Sequence, residues 1–201
     1  MAAWLVILAC IFLPMFWAVG AYKRLNGLRT AFRNAFLQVN AQSQRRHDLI
    51  PGLVEIARGY LMYQPHVLDA VTAARNQAFT AGVLVAHDPT DSEAMHRMIA
   101  AEAALVWVLE QVLALAHACP ALWADATMLA LAGDLDSTES RLIFAQQAYN
   151  HSVARYNTAI MQFPGAFLAA VFGFRAATPL QAVRNAEDRR GRDRAALRRR
   201  P

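Results

Sequence analysis

The sequence predicts an all-α protein: an N-terminal transmembrane helix followed by an antiparallel four-helix bundle. Three observations carry this prediction. The 201 residues are 56% hydrophobic, rich in Ala and Leu, with nine Gly and eight Pro, a composition that favours helices. The first 22 residues carry no charged side chain. Beyond them apolar residues recur in steps of three and four, as in helices with one buried face, and no Val/Ile-rich alternating run marks a strand. The length suits one domain with accessory segments.

Residues 1–22 form the expected anchor. At about 1.5 Å per residue they reach about 33 Å, enough to cross a hydrocarbon core. Trp4, Trp17 and Tyr22 suit the interfaces, and Lys23, Arg24, Arg29 and Arg33 follow at once. The charge bias places the N-terminus outside and the rest in the cytoplasm. A cleaved signal peptide, with Ala18–Ala21 as its small-residue site, would need a basic segment ahead of the apolar run, and there is none.

Residues 23–164 form the expected bundle. In the first helix the stripe runs Leu25, Leu28, Phe32, Phe36, Val39, then Ile50, Leu53, Ala57, Tyr60. Extended through the gap it falls on Ser43 and Arg46. An unpaired buried guanidinium costs several kcal/mol, so Arg46 must reach solvent or meet a carboxylate from another helix. Either Asp48 caps a helix restarting near Pro51, or one long helix runs through with a bend; the second is preferred. The second helix starts at Gln64-Pro65, carries Val67, Leu68, Val71, Ala74 and Ala78, and has Gly82 as its expected stop. Thr90 with Glu93 is a capping-box pattern opening a third helix that ends near Cys119-Pro120. The last helix keeps a heptad-like stripe from Met128 to Phe163, with Thr138 on the stripe and Glu139 beside it as a candidate partner for Arg46. Long first and last helices around two shorter ones make an antiparallel bundle.

Residues 165–181 are an apolar segment too short to span a bilayer. It reads first as folded back on the bundle end. The second reading is a membrane-surface contact, with Phe167, Phe172 and Phe174 inserted and Arg175 at headgroup level. Residues 182–201 hold eight arginines against Glu187, Asp188 and Asp193, so the net charge of +5 belongs to this tail. The tail reads as disordered. Anionic lipid is its first candidate partner, at about 1 kcal/mol per arginine; nucleic acid ranks behind it. The two cysteines, Cys10 and Cys119, imply no disulfide framework.

Several motifs resemble the LemA family of bacterial membrane proteins. They are Tyr22-Lys23-Arg24-Leu25, the run Arg45-Arg46-His47-Asp48-Leu49-Ile50-Pro51 with Leu53-Val54-Glu55 and Gly59-Tyr60, then Thr138-Glu139, Tyr149-Asn150, Tyr156-Asn157-Thr158-Ala159-Ile160, Phe163-Pro164 and Phe172-Gly173-Phe174. The resemblance spans about residues 22–178. It implies one N-terminal membrane anchor, a helical-bundle domain and no established catalytic activity. It also implies a link to envelope maintenance and to HtpX-type membrane metallopeptidases, by association. This chain departs from the usual pattern at Asn40-Ala41-Gln42, where an acidic residue is usual at position 40.

No catalytic, cofactor or metal site emerges. Glu93 and His96 make the one Glu-x-x-His spacing, where a carboxylate-bridged di-metal bundle needs two; exposed residues at a helix start explain it better. The histidines are scattered, with no metal-binding spacing, and there is no phosphate-cradling loop or nucleophile elbow. What remains is a polar cluster: Arg45, Arg46, His47, Asp48, Glu55 and Glu139, with Tyr149, Asn150, Tyr156 and Asn157 on the last helix. It reads first as an interhelical network fixing bundle register, and second as a groove for a partner peptide or lipid headgroup. The expected partners are the lipid bilayer and another membrane protein. The expected function is a non-enzymatic adaptor or scaffold, with electrostatic binding through the tail as the alternative.

Overall fold

The computed structural model describes residues 2–60 and 65–180, with side chains from Phe16 onward. The tail over 182–201, and the side chains of residues 1–15 on which the anchor expectation rests, lie outside the described residues. Among the described residues the protein is helical, with no strand. Its elements are α1 (Ala2–Tyr60), α2 (Pro65–His87), α3 (Ser92–Ala118), α4 (Pro120–Trp123), α5 (Ala126–Met161) and α6 (Gly165–Phe172).

Helix α1 has 59 residues, about 88 Å at 1.5 Å per residue. It runs unbroken through Pro51, so Asp48 has no restarting helix to cap and stays exposed. Proline lacks an N–H, which leaves the carbonyl four residues back without its helical partner. That carbonyl belongs to His47. Arg75 of α2 donates to it through Nε at 2.8 Å. Ile50 and Leu53, on either side of the proline, are both buried. Packing and a borrowed donor therefore offset what the proline removes.

The long seams run between α1 and α5, α2 and α3, and α1 and α2. Helices α3 and α5 instead face each other across a trough. The buried apolar residues form two cores. One holds Ile50, Leu53 and Ala57 with Leu68, Val71, Leu105, Val112, Leu122 and Met128. The other holds Phe32, Phe36 and Val39 with Val85, Met95, Leu142, Tyr149 and Tyr156. The polar gap in the α1 stripe falls between them.

Several element ends differ from expectation. Helix α2 continues past Gly82 to His87, because Val85 is fully buried in the core and such burial outweighs the roughly 1 kcal/mol that glycine costs a helix. Asp91, not Thr90, caps α3: its carboxylate accepts from the Glu93 and Ala94 amides at 2.9 and 3.1 Å. The Thr90 hydroxyl is occupied, donating to Asp88 at 2.6 Å. Asp125 caps α5 in the same way. Phe163, the expected end of the α5 stripe, lies beyond the helix and faces out.

Among the described residues, α3 is long and apolar enough to cross a membrane, with mean hydropathy 1.8 over its most apolar stretch. In this structure it packs along α2 and sends Glu102 inward to an ion pair.

After α5 the chain turns sharply. A Cβ on Gly165 would collide with the Ala159 carbonyl oxygen, so only glycine permits this approach. Gly173, at φ 67°, ends α6 in the left-handed region. Residues 174–180 then run back along α5 as a strap. Tyr149 donates to the Thr178 carbonyl at 2.9 Å and Tyr156 to that of Arg175 at 3.0 Å. Asn157 brackets Ala177 with two hydrogen bonds, and Asn150 accepts from the Leu180 amide at 2.6 Å. Burial pushes both tyrosine hydroxyls to higher pKa, so they remain protonated donors.

The Pro51–Arg75 relation can be tested by a double-mutant cycle. Arg75→Ala should destabilise the fold by about 1–2 kcal/mol by orphaning the His47 carbonyl. In a Pro51→Ala background, where residue 51 regains its N–H, most of that cost should vanish. Urea denaturation of the four proteins measures the coupling, and additive effects would refute it.

Candidate functional site

The polar gap between the two cores is built around Arg46. Its side chain is 3% exposed, and its guanidinium spans two helices. Nη2 donates to Glu102 Oε2 on α3, and Nη1 donates to Glu139 Oε2 on α5 at 3.1 Å. Glu102 is itself largely buried, and its other oxygen accepts from the Ser43 hydroxyl at 2.8 Å. Thr138, also buried, satisfies its hydroxyl within α5 by donating to the Asp134 carbonyl at 2.7 Å. One cation and two carboxylates thus replace apolar packing at the level where the stripe of α1 falls on Ser43 and Arg46.

His47 lies beside this group, 2% exposed. Its Nε2 stands 3.4 Å from Glu102 Oε1, and neither ring nitrogen makes a hydrogen bond. Burial, then the adjacent guanidiniums of Arg46 and Arg75, lower its pKa from the usual 6.5 to about 4. At neutral pH it is an uncharged imidazole. Ser43 directs its hydroxyl at the carboxylate and not at the imidazole, so the hydroxyl-to-imidazole relay that activates a nucleophile is not made here.

Two adjoining depressions open onto this layer and share Arg46, Val106, Glu139 and Ile143. The first encloses about 190 Å³ between α1, α2, α3 and α5, with Phe36, Phe79, Met98 and Leu142 among its apolar walls and Ser43 and His47 among its polar ones. That is below the volume of an ordinary drug-sized ligand site, about 300 Å³ or more. The second continues along the parted α3–α5 seam past Leu109, Leu113, Trp123 and Leu135, rimmed by Glu110 and Asp136. Together they make one elongated apolar trough with an acidic rim and a buried ionic floor.

The structure divides the polar cluster foreseen from the sequence. Arg46, His47 and Glu139 meet in the ionic layer. Arg45, Asp48 and Glu55 are exposed on α1 and take no part in it. Tyr149, Asn150, Tyr156 and Asn157 belong to a different place: their polar atoms hold the strap of residues 174–180. Sequence reasoning missed Glu102 and the role of Arg75. A signal for Glu102 was present. It occupies the stripe position between Met98 and Leu105 where an apolar residue is expected, the same interruption that marks Arg46. Glu93 and His96 are both exposed at the start of α3, where Glu93 faces Arg97 at 4.0 Å.

The two carboxylates should differ in weight. Glu102→Gln leaves a buried guanidinium short of its enclosed counter-charge and should cost about 3 kcal/mol or more. Glu139→Gln, at a partly solvated site, should cost about 1 kcal/mol or less. Chemical denaturation at neutral pH gives the order, and equal losses would show that Arg46 is shared evenly.

His47 gives the second test. Its folded pKa lies below its unfolded one, so the unfolded chain binds a proton that the fold refuses. Stability is therefore complete above pH 6.5 and declines as the pH falls toward 4, by about 3 kcal/mol at most. His47→Met should flatten the stability profile over that window; an unchanged slope would assign it to other groups.

A family model described as the LemA family matches residues 35–192, from the middle of α1 through the Arg46 layer, the trough and the strap. No curated protein matches the chain. With most of its length covered by that match, this chain belongs to the LemA family.

Proposed function

We propose that this protein is a non-enzymatic, membrane-anchored adaptor. In this reading residues 1–22 cross the membrane with the N-terminus outside, and the helices form an antiparallel four-helix bundle in the cytoplasm. The α3–α5 trough receives an amphipathic helix from a membrane-protein partner. A membrane metallopeptidase of the HtpX type is the first candidate on family association, within envelope maintenance.

The observation that supports this reading is the parted seam. Three seams between the long helices are closed by apolar packing. The fourth carries apolar walls of Val106, Leu109, Leu113, Leu135 and Ile143 beside the exposed carboxylate of Asp136. Such a surface accepts a helix that lays down one apolar stripe and reaches basic side chains over the edge. Anchoring both proteins in one membrane raises their effective concentration, so the contact need not be strong in isolation.

A photo-crosslinking residue at Ile143, in the trough, should yield a discrete adduct with a membrane protein. The same residue at Arg141, on the opposite side of α5, should not. Asp136→Lys should weaken the Ile143 adduct, and removal of residues 182–201 should leave it intact. Equal adducts at both positions would refute the trough as the docking face. Loss of the adduct on tail removal alone would transfer the interaction to the arginine-rich tail.

A further inference from the structure

We infer that α6 and the turn before it form an interfacial foot, embedded in the bilayer's headgroup–acyl boundary beside the anchor. This rests on the reading of residues 1–22 as a transmembrane helix and adds a second membrane contact that the anchor does not require.

Helix α6 turns only Gly165 and Leu168 fully inward. Phe167, Val171 and Phe172 face outward, at 66%, 60% and 57% exposure, and Phe163 in the preceding turn is 79% exposed. These side chains do not stand alone. Phe163 packs against Trp17 of α1, with ring centroids 5.4 Å apart, and Phe172 packs against Tyr22 at 4.9 Å. Phe16, 82% exposed, joins the same face. The result is one continuous apolar patch across α1 and α6, of a kind that soluble surfaces rarely leave uncovered.

Depth along α1 identifies what covers it. The helix is continuous, so axial position follows from residue number. Trp17 lies six residues before Lys23, the first charged side chain, which is about 9 Å along the axis. A bilayer that covers the uncharged segment as far as Tyr22 must also cover whatever packs on Trp17 and Tyr22. That is α6 and its turn. The depth agrees with the 5–10 Å or so to which interfacial helices bury their apolar face. Charge fits as well. Lys23, Arg24 and Arg175 are exposed just above the patch, and the Arg29 guanidinium lies 5.9 Å from the Phe174 ring centroid. Cations at headgroup level above inserted aromatics match an anionic lipid surface.

The left-handed Gly173 and the strap give the foot its fixed attachment. Chain leaving α6 is pinned to α5 by Asn157, Tyr156, Tyr149 and Asn150. The foot is therefore held by the folded domain rather than tethered loosely to it, and it would set the tilt of that domain over the membrane.

The test uses the full-length protein, with Cys119→Ser, reconstituted in phosphatidylcholine–phosphatidylglycerol vesicles that carry doxyl quenchers at shallow or deep positions. A fluorescent label is placed at residue 163, 167 or 144, each through a Phe→Cys change with Cys10→Ser. A fourth protein keeps native Cys10 as the labelled site. Phe144 is the comparator, because it is 77% exposed on α5 and far from the patch. Labels at 163 and 167 should lose most of their fluorescence to the shallow quencher, while the label at 144 keeps its own. If 163 and 167 resist quenching as 144 does while Cys10 is quenched by the deep probe, the foot is overturned and the anchor stands. If Cys10 also resists both quenchers, the anchor reading fails and the foot with it.

Discussion

One buried guanidinium constrains how the helices are arranged. Arg46 lies on the buried face of α1, between two apolar cores, and its charge cannot be left there alone. Glu102 and Glu139 reach it from α3 and α5, so three helices that need not share a register are made to share one. Apolar packing alone tolerates small axial slips, since one leucine replaces another at little cost. An ion pair bonded at both ends does not, because a slip of one turn would strand the charge. The trough between α3 and α5 opens onto the same layer.

The segment that supplies Arg46 carries a second constraint. Pro51 leaves the His47 carbonyl without its helical donor, and Arg75 reaches across from α2 to take that place. The helix is thereby kept continuous through a residue that would ordinarily end it. Arg75 also lies close enough to His47 to oppose its protonation, beside Arg46. Burial first, and then the core-specifying Arg46 and the backbone-repairing Arg75, keep this imidazole neutral.

The continuity of α1 has a consequence at its other end. Because the helix does not break, the axial position of each residue follows from its number. The contacts of Trp17 with Phe163 and of Tyr22 with Phe172 then fix where along α1 the helix α6 sits. The strap-binding side chains on α5 fix that arrangement from above, with two tyrosine hydroxyls and two asparagine amides satisfying backbone groups that have no regular secondary structure to pair with.

Much of this was legible one helix at a time. The periodic stripes, their interruption at Ser43 and Arg46, and the requirement that Arg46 reach solvent or a carboxylate follow from local spacing and from the cost of a buried charge; the run of α1 through Pro51 was the preferred of two readings that the sequence left open. Local spacing describes a single helix against an unspecified neighbour. It does not state how neighbouring helices are rotated or shifted, and those quantities arise from packing summed over the whole length. Only the tertiary structure decided that Glu102 stands opposite Arg46 and that Gly82 is carried inside a helix by the burial of Val85. It also decided that Asp91, not Thr90, caps α3. Tyr149, Asn150, Tyr156 and Asn157 were grouped with Arg46 in one polar cluster from the sequence, but in space they hold the strap. Sequence determined which residues must find partners; the mutual rotation of the helices determined which partners they found.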